Sequence, residues 1–233
     1  MTERIELLDH GYVQGIEGWG SDQSIIEAAR MSTDGAFRGW SEDAKLLAYL
    51  YNNKHSTPFE MAGLIVQVKA PIFIFREWHR HRTQSYNEMS ARYIPLPDEN
   101  YMPTVDRLLA GANTATTNKQ AQGSGVELTG PQAMQWLAAL EQVYIHAQQV
   151  YQLGLNIGIP KELARLPVPV ARYSKMRASA VLRNWLAFLT LRKAPNAQWE
   201  IRQYADAVGT LIAERFPRTW ELFEAEGSYK PKP

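Results

Sequence analysis

No cysteine occurs among the 233 residues. Disulfides, thiolate metal sites and cysteine nucleophiles are therefore excluded together, and any chemistry must use other groups. An excess of charge is missing as well: 25 Lys plus Arg stand against 24 Asp plus Glu, a formal net charge of +1. Without a global basic field to hold a nucleic-acid backbone or an anionic membrane, an anion site has to be local. Long apolar runs are also lacking. The most apolar stretch, LIVQVKAPIFIF, is interrupted by Lys69 and falls far short of the ~20 residues that span a bilayer. The first residues, MTERIELLDHGYV, lack a basic stretch followed by an apolar run and do not read as a signal peptide. The expectation is a soluble, cytoplasmic protein with neither a membrane nor a nucleic-acid partner.

The composition that is present, 45% hydrophobic and 21% charged, is enough to bury a sizeable core as one domain over residues 1–233. DQSIIEAARM, with a possible cap at Ser21, and EDAKLLAYLYNN have helical apolar spacing, the second ending at Asn52 and Asn53. His55 opens a polar turn, HSTP. AGLIVQVK places Leu64, Val66 and Val68 on one face, which predicts a strand. Pro71 ends it and can start a helix carrying IFIFREWHRHR, apolar first and cationic last. Residues 95–130 are turn-rich and apolar-poor, which predicts a surface loop or insertion at about 100–130. PQAMQWLAALEQVYIHAQQVYQLGL reads as a long amphipathic helix stopping near Gly158, and KELARLPVPVARYSKMRASAV as a turn into a strand. VLRNWLAFLTLR reads as a buried helix. QWEIRQYADAVGTLIAERF carries Ile201, Tyr204, Ala205, Val208, Leu211 and Ile212 along one stripe and ends before Pro217. The class is α+β, helices around a small antiparallel sheet.

The chemistry concentrates in FREWHRHRTQSYNEMSARY, residues 75–93, with four arginines, two histidines and two glutamates. Arg80, Arg82 and Arg92 offer planar donor forks for phosphate or carboxylate. Asn87 and Ser90 add neutral hydrogen-bonding groups, and Glu88 can accept from an imide or ribose hydroxyl. That mixture suits a nucleotide, although a structural arginine network reads equally well. A metal pair at His79 and His81 is disfavoured, because residues two apart on a helix diverge. Trp78, Tyr86 and Tyr93 interleaved with the arginines leave an RNA-binding patch as a rival, weakened by the neutral total charge.

These residues carry a family resemblance. Arg80, His81 and Arg82, followed after seven residues by Ser90, match the Arg-His-Arg-x7-Ser signature of the flavin-dependent (ThyX-type) thymidylate synthases. HSTPFE, VKAPIF, SYNEMSARY, IPKELAR and LRKAPNAQWEIRQYA are similar to the family in the family's order. The resemblance implies reductive methylation of 2′-deoxyuridine monophosphate at C5. The one-carbon unit would come from methylenetetrahydrofolate and the hydride from reduced flavin adenine dinucleotide (FAD), regenerated by NADPH. The missing cysteine agrees, since the other thymidylate synthase family attacks C6 with a thiolate. The resemblance further implies a homotetramer with active sites assembled between subunits.

Carried over by position, the nucleotide site comprises Glu77, Trp78, His79, Arg80, Glu88, Met89, Ser90, Ala91, Arg92, Arg165 and Arg192. Arg192 would favour ionisation at N3, Ser90 would bind and polarise the substrate, and His55 would lie near the flavin and folate rings. A helix C-terminal cap is the alternative role for His55. Flavin contacts are implied for Thr57, Arg80, His81, Arg82, Asn87, Glu88, Val181, Leu182, Arg183, Ala187 and Asn196. Arg183 and Arg192 are nine residues apart, about 180° around a helix, so they should serve different ligands. No metal is expected. The chain also departs from the family pattern. Val181, Ala187 and Asn196 replace asparagine, asparagine and histidine, Glu77 replaces a usual glutamine, and Met61 follows PFE where histidine is common. Each lost hydrogen bond to the cofactor removes about 0.5–1.5 kcal/mol, which predicts weaker flavin binding. Glu77 leaves open another pyrimidine nucleotide, such as uridine monophosphate, as substrate; a noncatalytic nucleotide- or RNA-binding module is the alternative of another class.

Overall fold

The computed structural model describes residues 3–112 and 127–226. Among them are five strands, β1 (Ile5–Leu7), β2 (Gly11–Trp19), β3 (Gly63–Pro71), β4 (Ser85–Glu88) and β5 (Tyr173–Val181). The helices are α1 (Asp22–Arg30), α2 (Trp40–Asn52), α3 (Ile72–Trp78), α4 (Val105–Ala112), α5 (Gly130–Asn156), α6 (Lys161–Ala164), α7 (Leu182–Arg192), α8 (Trp199–Arg215) and α9 (Pro217–Ala225). The strands form one sheet in the order β1-β2-β3-β5-β4, with β1–β2, β2–β3 and β4–β5 antiparallel. The class, helices around a small antiparallel sheet, is the one expected from the sequence, while α4, α6 and α9 are helices that the sequence reading did not anticipate. The chain divides into two compact units, one of residues 1–69, 76–88 and 175–233, the other of residues 70–75 and 89–174.

In the first unit Leu64, Val66 and Val68 are buried, as the alternation requires. α7 and α8 supply the core, and all six residues of the expected α8 stripe are buried. Trp78, Trp185 and Phe188 pack ring on ring, with centroids 4.6 to 6.3 Å apart. Their polar handles are satisfied: Trp185 Nε1 donates to the Leu64 carbonyl (2.9 Å) and Trp78 Nε1 to Gln84 Oε1 (3.0 Å). Ser21 caps α1 through a capping box with Ser24. β1, β2 and β4 were not anticipated. β2 carries three glycines that blur its alternation, and β4 is four residues with mostly exposed side chains.

The helix expected over IFIFREWHRHR is shorter than that, because α3 stops at Trp78. The next bonds are turn bonds, Arg80 N–H to Glu77 O and His81 N–H to Trp78 O. The Tyr86 hydroxyl donates to the His81 carbonyl at 2.6 Å, with the Trp78 carbonyl 3.2 Å away. A side chain thus takes up carbonyls that a longer helix would have used. His79 to Arg82 consequently lie beyond the helix.

In the second unit the segment after Pro95 is not a free loop. Tyr101 N–H donates to the Ala171 carbonyl, Tyr173 N–H to the Glu99 carbonyl, and α4 follows. Residues 113–126 of the expected insertion lie outside the described residues. Arg172 is fully buried, donating from Nη1 to the Pro97 carbonyl (2.7 Å) and from Nη2 to Gln148 Oε1 (2.9 Å). It is a structural arginine that the sequence pattern did not single out. α5 buries only Ala133, Tyr151 and Gly154 fully. Trp136, Val143, Val150 and Ile157, each seven residues from the last, are exposed.

Candidate active site

Arg192, the last residue of α7, is held on three sides. Its Nε donates to His81 Nε2 (2.9 Å), its Nη2 to the Glu77 main-chain carbonyl (2.8 Å), and its Nη1 to the Glu77 carboxylate. The end of α3 and the turn after it position Glu77 and His81, and Phe188 packs edge-on against the His81 ring (4.9 Å). Burial and, second, the charge of Arg192 push the His81 pKa down to about 4. The imidazole is therefore neutral at pH 7, accepts through Nε2 and carries its proton on Nδ1. His79 approaches Met176 Sδ (3.1 Å) and tilts against Tyr86 (4.7 Å). Trp78 is fully buried, so only its main chain could meet a ligand. Arg80 and Arg82 are exposed, as are Asn87 and Glu88, which pair with Arg177 and Met176 across β4 and β5.

Arg183 enters α7 on the opposite side, as its spacing from Arg192 requires. Its Nη1 donates to Glu60 Oε1 at 2.6 Å. His55, Phe59, Arg183, Leu186, Ala187 and Thr190, with Tyr51, Lys54 and Glu226, line a pocket of about 250 Å³. Apolar walls with a few donors suit a planar heteroaromatic ring, and the volume suits a ring system rather than a whole dinucleotide. The His55 main chain, not its ring, caps α2: the N–H donates to the Leu50 carbonyl (2.9 Å) while the ring lies edge-on to Tyr49 (5.4 Å). Thr57 is exposed in a 3-10 turn over Thr57–Glu60, Val181 precedes α7, and Leu182 is buried, its N–H donating to the Ala62 carbonyl. Asn196 is half-buried after α7. Sequence reasoning missed Glu60, Tyr51, Lys54, Thr190 and Glu226. Only Glu60 left a trace, inside HSTPFE. Lys54 Nζ donates to Glu226 Oε1 (2.7 Å), joining groups 172 positions apart.

In the second unit Ser90, Arg92 and Arg165 come together around α6. Arg92 Nε lies 3.3 Å from Glu162 Oε2, and Arg165 Nε donates to the Glu162 carbonyl (3.3 Å). Ser90 Oγ accepts from the Arg92 N–H (3.3 Å), and the Ser90 carbonyl from Tyr93 and Ile94. Such a turn holds the hydroxyl oxygen toward the Arg92 N–H. Met89 is half-buried and Ala91 buried beside it. Among the described residues no cluster of His, Asp or Glu could hold a metal ion, and no helix is long and apolar enough to cross a membrane.

Residues 16–218 match the family model described as thymidylate synthase complementing protein. A flavin-dependent thymidylate synthase of Thermus thermophilus is 41% identical over 220 residues, 94% of this chain and 78% of that one. The chain belongs to this family. Among solved structures, the UMP/dUMP methylase PolB from Streptomyces cacaoi bound with 5-Br dUMP superposes with a TM-score of 0.84 at 33% identity, over 97% of this chain and 100% of that one. The same methylase bound with 5-Br UMP gives equal values over 97% and 99%. In a flavin-dependent thymidylate synthase fold the ring-sized pocket with His55 and Arg183 fits a flavin through its donors and apolar walls. Ala187 contributes a methyl group to that pocket.

Proposed function

We propose that the protein is a flavin-dependent thymidylate synthase. It converts deoxyuridine monophosphate to thymidylate by reductive methylation at C5, taking the carbon from methylenetetrahydrofolate and releasing tetrahydrofolate. FAD, when bound in its reduced form, would supply the hydride, and NADPH would reduce it again. The observation that carries this reading is the fixed guanidinium of Arg192, gripped by Glu77 and neutral His81. A cation held beside the imide stabilises the N3 anion, which raises electron density at C5. Arg80, Arg92 and Arg165 neutralise the monophosphate, and Ser90 donates to the substrate. Glu88, Met89, Ala91 and the main chain of Trp78 and His79 complete the nucleotide contacts. Thr57, His81, Arg82, Asn87, Val181, Leu182, Arg183, Ala187 and Asn196 would hold the flavin together with Arg80 and Glu88, and His55 would orient the rings.

The chain works as one catalytic domain in the cytoplasm, where its nucleotide, folate and NADPH are met, and assembles as a homotetramer with sites shared between subunits. The exposed heptad stripe of Trp136, Val143 and Val150 on α5, continued by Ile157 at its C-cap, supports self-association, since an apolar seam of that period seeks a second helix. A second substrate, uridine monophosphate, is favoured by one observation: the 33% identical methylase was solved with both nucleotide types. Incubating the protein with flavin, methylenetetrahydrofolate, NADPH and either nucleotide, then separating products, tests the reading. Thymidylate from the deoxynucleotide, formed faster than 5-methyluridine monophosphate from the ribonucleotide, is expected. No thymidylate, or ribonucleotide methylation alone, would overturn it.

A further inference from the structure

The grip on Arg192 combines one charged acceptor with two others. A guanidinium has five N–H groups. Three of those on Arg192 are committed, to His81 Nε2, the Glu77 carbonyl and the Glu77 carboxylate, which leaves two for a ligand. Of the three acceptors, two are neutral, because His81 is unprotonated at pH 7 and the carbonyl carries no charge. The carboxylate alone sets the net charge of the cluster. The Arg192 side chain is 16% exposed and that of Glu77 38%, so the pair is screened only in part. Glutamine at position 77 could accept the same hydrogen bond through its amide oxygen without cancelling the arginine charge.

We propose that Glu77 is a positioning residue that acts through Arg192: its carboxylate fixes the guanidinium while reducing the positive potential that Arg192 presents to the pyrimidine base. The inference rests on the proposed reading, in which Arg192 meets the base. In this chain the arginine is oriented in advance and discriminates less between a neutral and an N3-ionised base. A fully charged arginine would favour the ionised base already in the ground state. With Glu77 in place, more of the electrostatic gain is left for the step in which negative charge develops on the ring.

Two probes that differ in N3 acidity separate charge from shape: deoxyuridine monophosphate, and its 5-bromo analogue, whose halogen acidifies N3. Calorimetric affinities of the flavin-loaded protein for each are measured at a mildly alkaline pH at which the bromo base is largely ionised and the parent largely neutral. In Glu77→Gln the bromo analogue should bind about tenfold more tightly than to the unaltered protein, with the parent changing less than about threefold. Glu77→Ala removes the same charge and should show the same shift in preference. Without the amide oxygen it should also lose more kcat than Glu77→Gln, which keeps an acceptor for the guanidinium. Equal changes for both probes in Glu77→Gln would overturn the inference while leaving thymidylate formation intact. An unaltered protein that binds neither probe would instead defeat the reading beneath it.

Discussion

At the scale of single residues, His81 decides how Arg192 is held. Its pKa lies at about 4, lowered by burial and then by Arg192, whereas an unfolded chain takes up that proton near 6.5. Between those values the unfolded state binds more protons than the folded one, so this group makes stability fall as pH falls from about 6.5 toward 4. Imidazole NMR should show His81 titrating near 4, and Arg192→Ala should raise the midpoint by removing a neighbouring cation. A midpoint at or above 6.5 in the unaltered protein would contradict the geometry. Arg183 and Arg192 show what residue spacing alone could read: nine positions along one helix, they find different carboxylates, Glu60 and Glu77. Neither carboxylate partner follows from spacing. Each reaches its arginine across more than 110 positions of chain.

At the scale of elements, two contacts fasten the scaffold under the site. Asp22, the first residue of α1, accepts from the Arg218 N–H (2.9 Å), the Thr219 N–H (3.2 Å) and the Thr219 hydroxyl (2.6 Å), and so caps α9 from 196 positions away. Removing a buried charged acceptor from a helix N-terminus costs about 2 kcal/mol. Asp22→Ala should therefore lower the thermal midpoint by about 4–8 °C with little change in nucleotide affinity; an unchanged midpoint would show that the cap is dispensable. Gly63, at the start of β3, leaves no room for a side chain, because a Cβ would come within 2.2 Å of the Trp19 ring and 2.5 Å of the Ala180 carbonyl. Gly63→Ala should destabilise by about 1–3 kcal/mol through overpacking, read as an earlier denaturant midpoint. α1, β3, α7 and α8 were legible because their burial follows their own period. β4 was not, since SYNE is short and its side chains mostly exposed, so its pairing with β5 sets its conformation. The early end of α3 was hidden for a similar reason: the hydroxyl that takes up its carbonyls sits on Tyr86, beyond the turn.

At the scale of the whole molecule, the apolar stripe along α5 stays largely exposed among the described residues, and in the proposed homotetramer another subunit would remove it from water. Val143→Glu should shift the protein toward smaller species in sedimentation, with thymidylate formation falling alongside if sites are shared. An unchanged distribution would place the interface elsewhere. The candidate site was legible as blocks, because Arg-His-Arg-x7-Ser and its companions survive as short strings. Its lining was not, because Tyr51, Lys54 and Glu226 meet only after α9 has packed beside α2. The most direct measurement is anaerobic mixing of the flavin-reduced protein with methylenetetrahydrofolate and deoxyuridine monophosphate, following flavin colour and product together. The expected result is flavin reoxidation that requires both substrates and yields thymidylate in equal amount; reoxidation indifferent to the nucleotide, or without thymidylate, would contradict it.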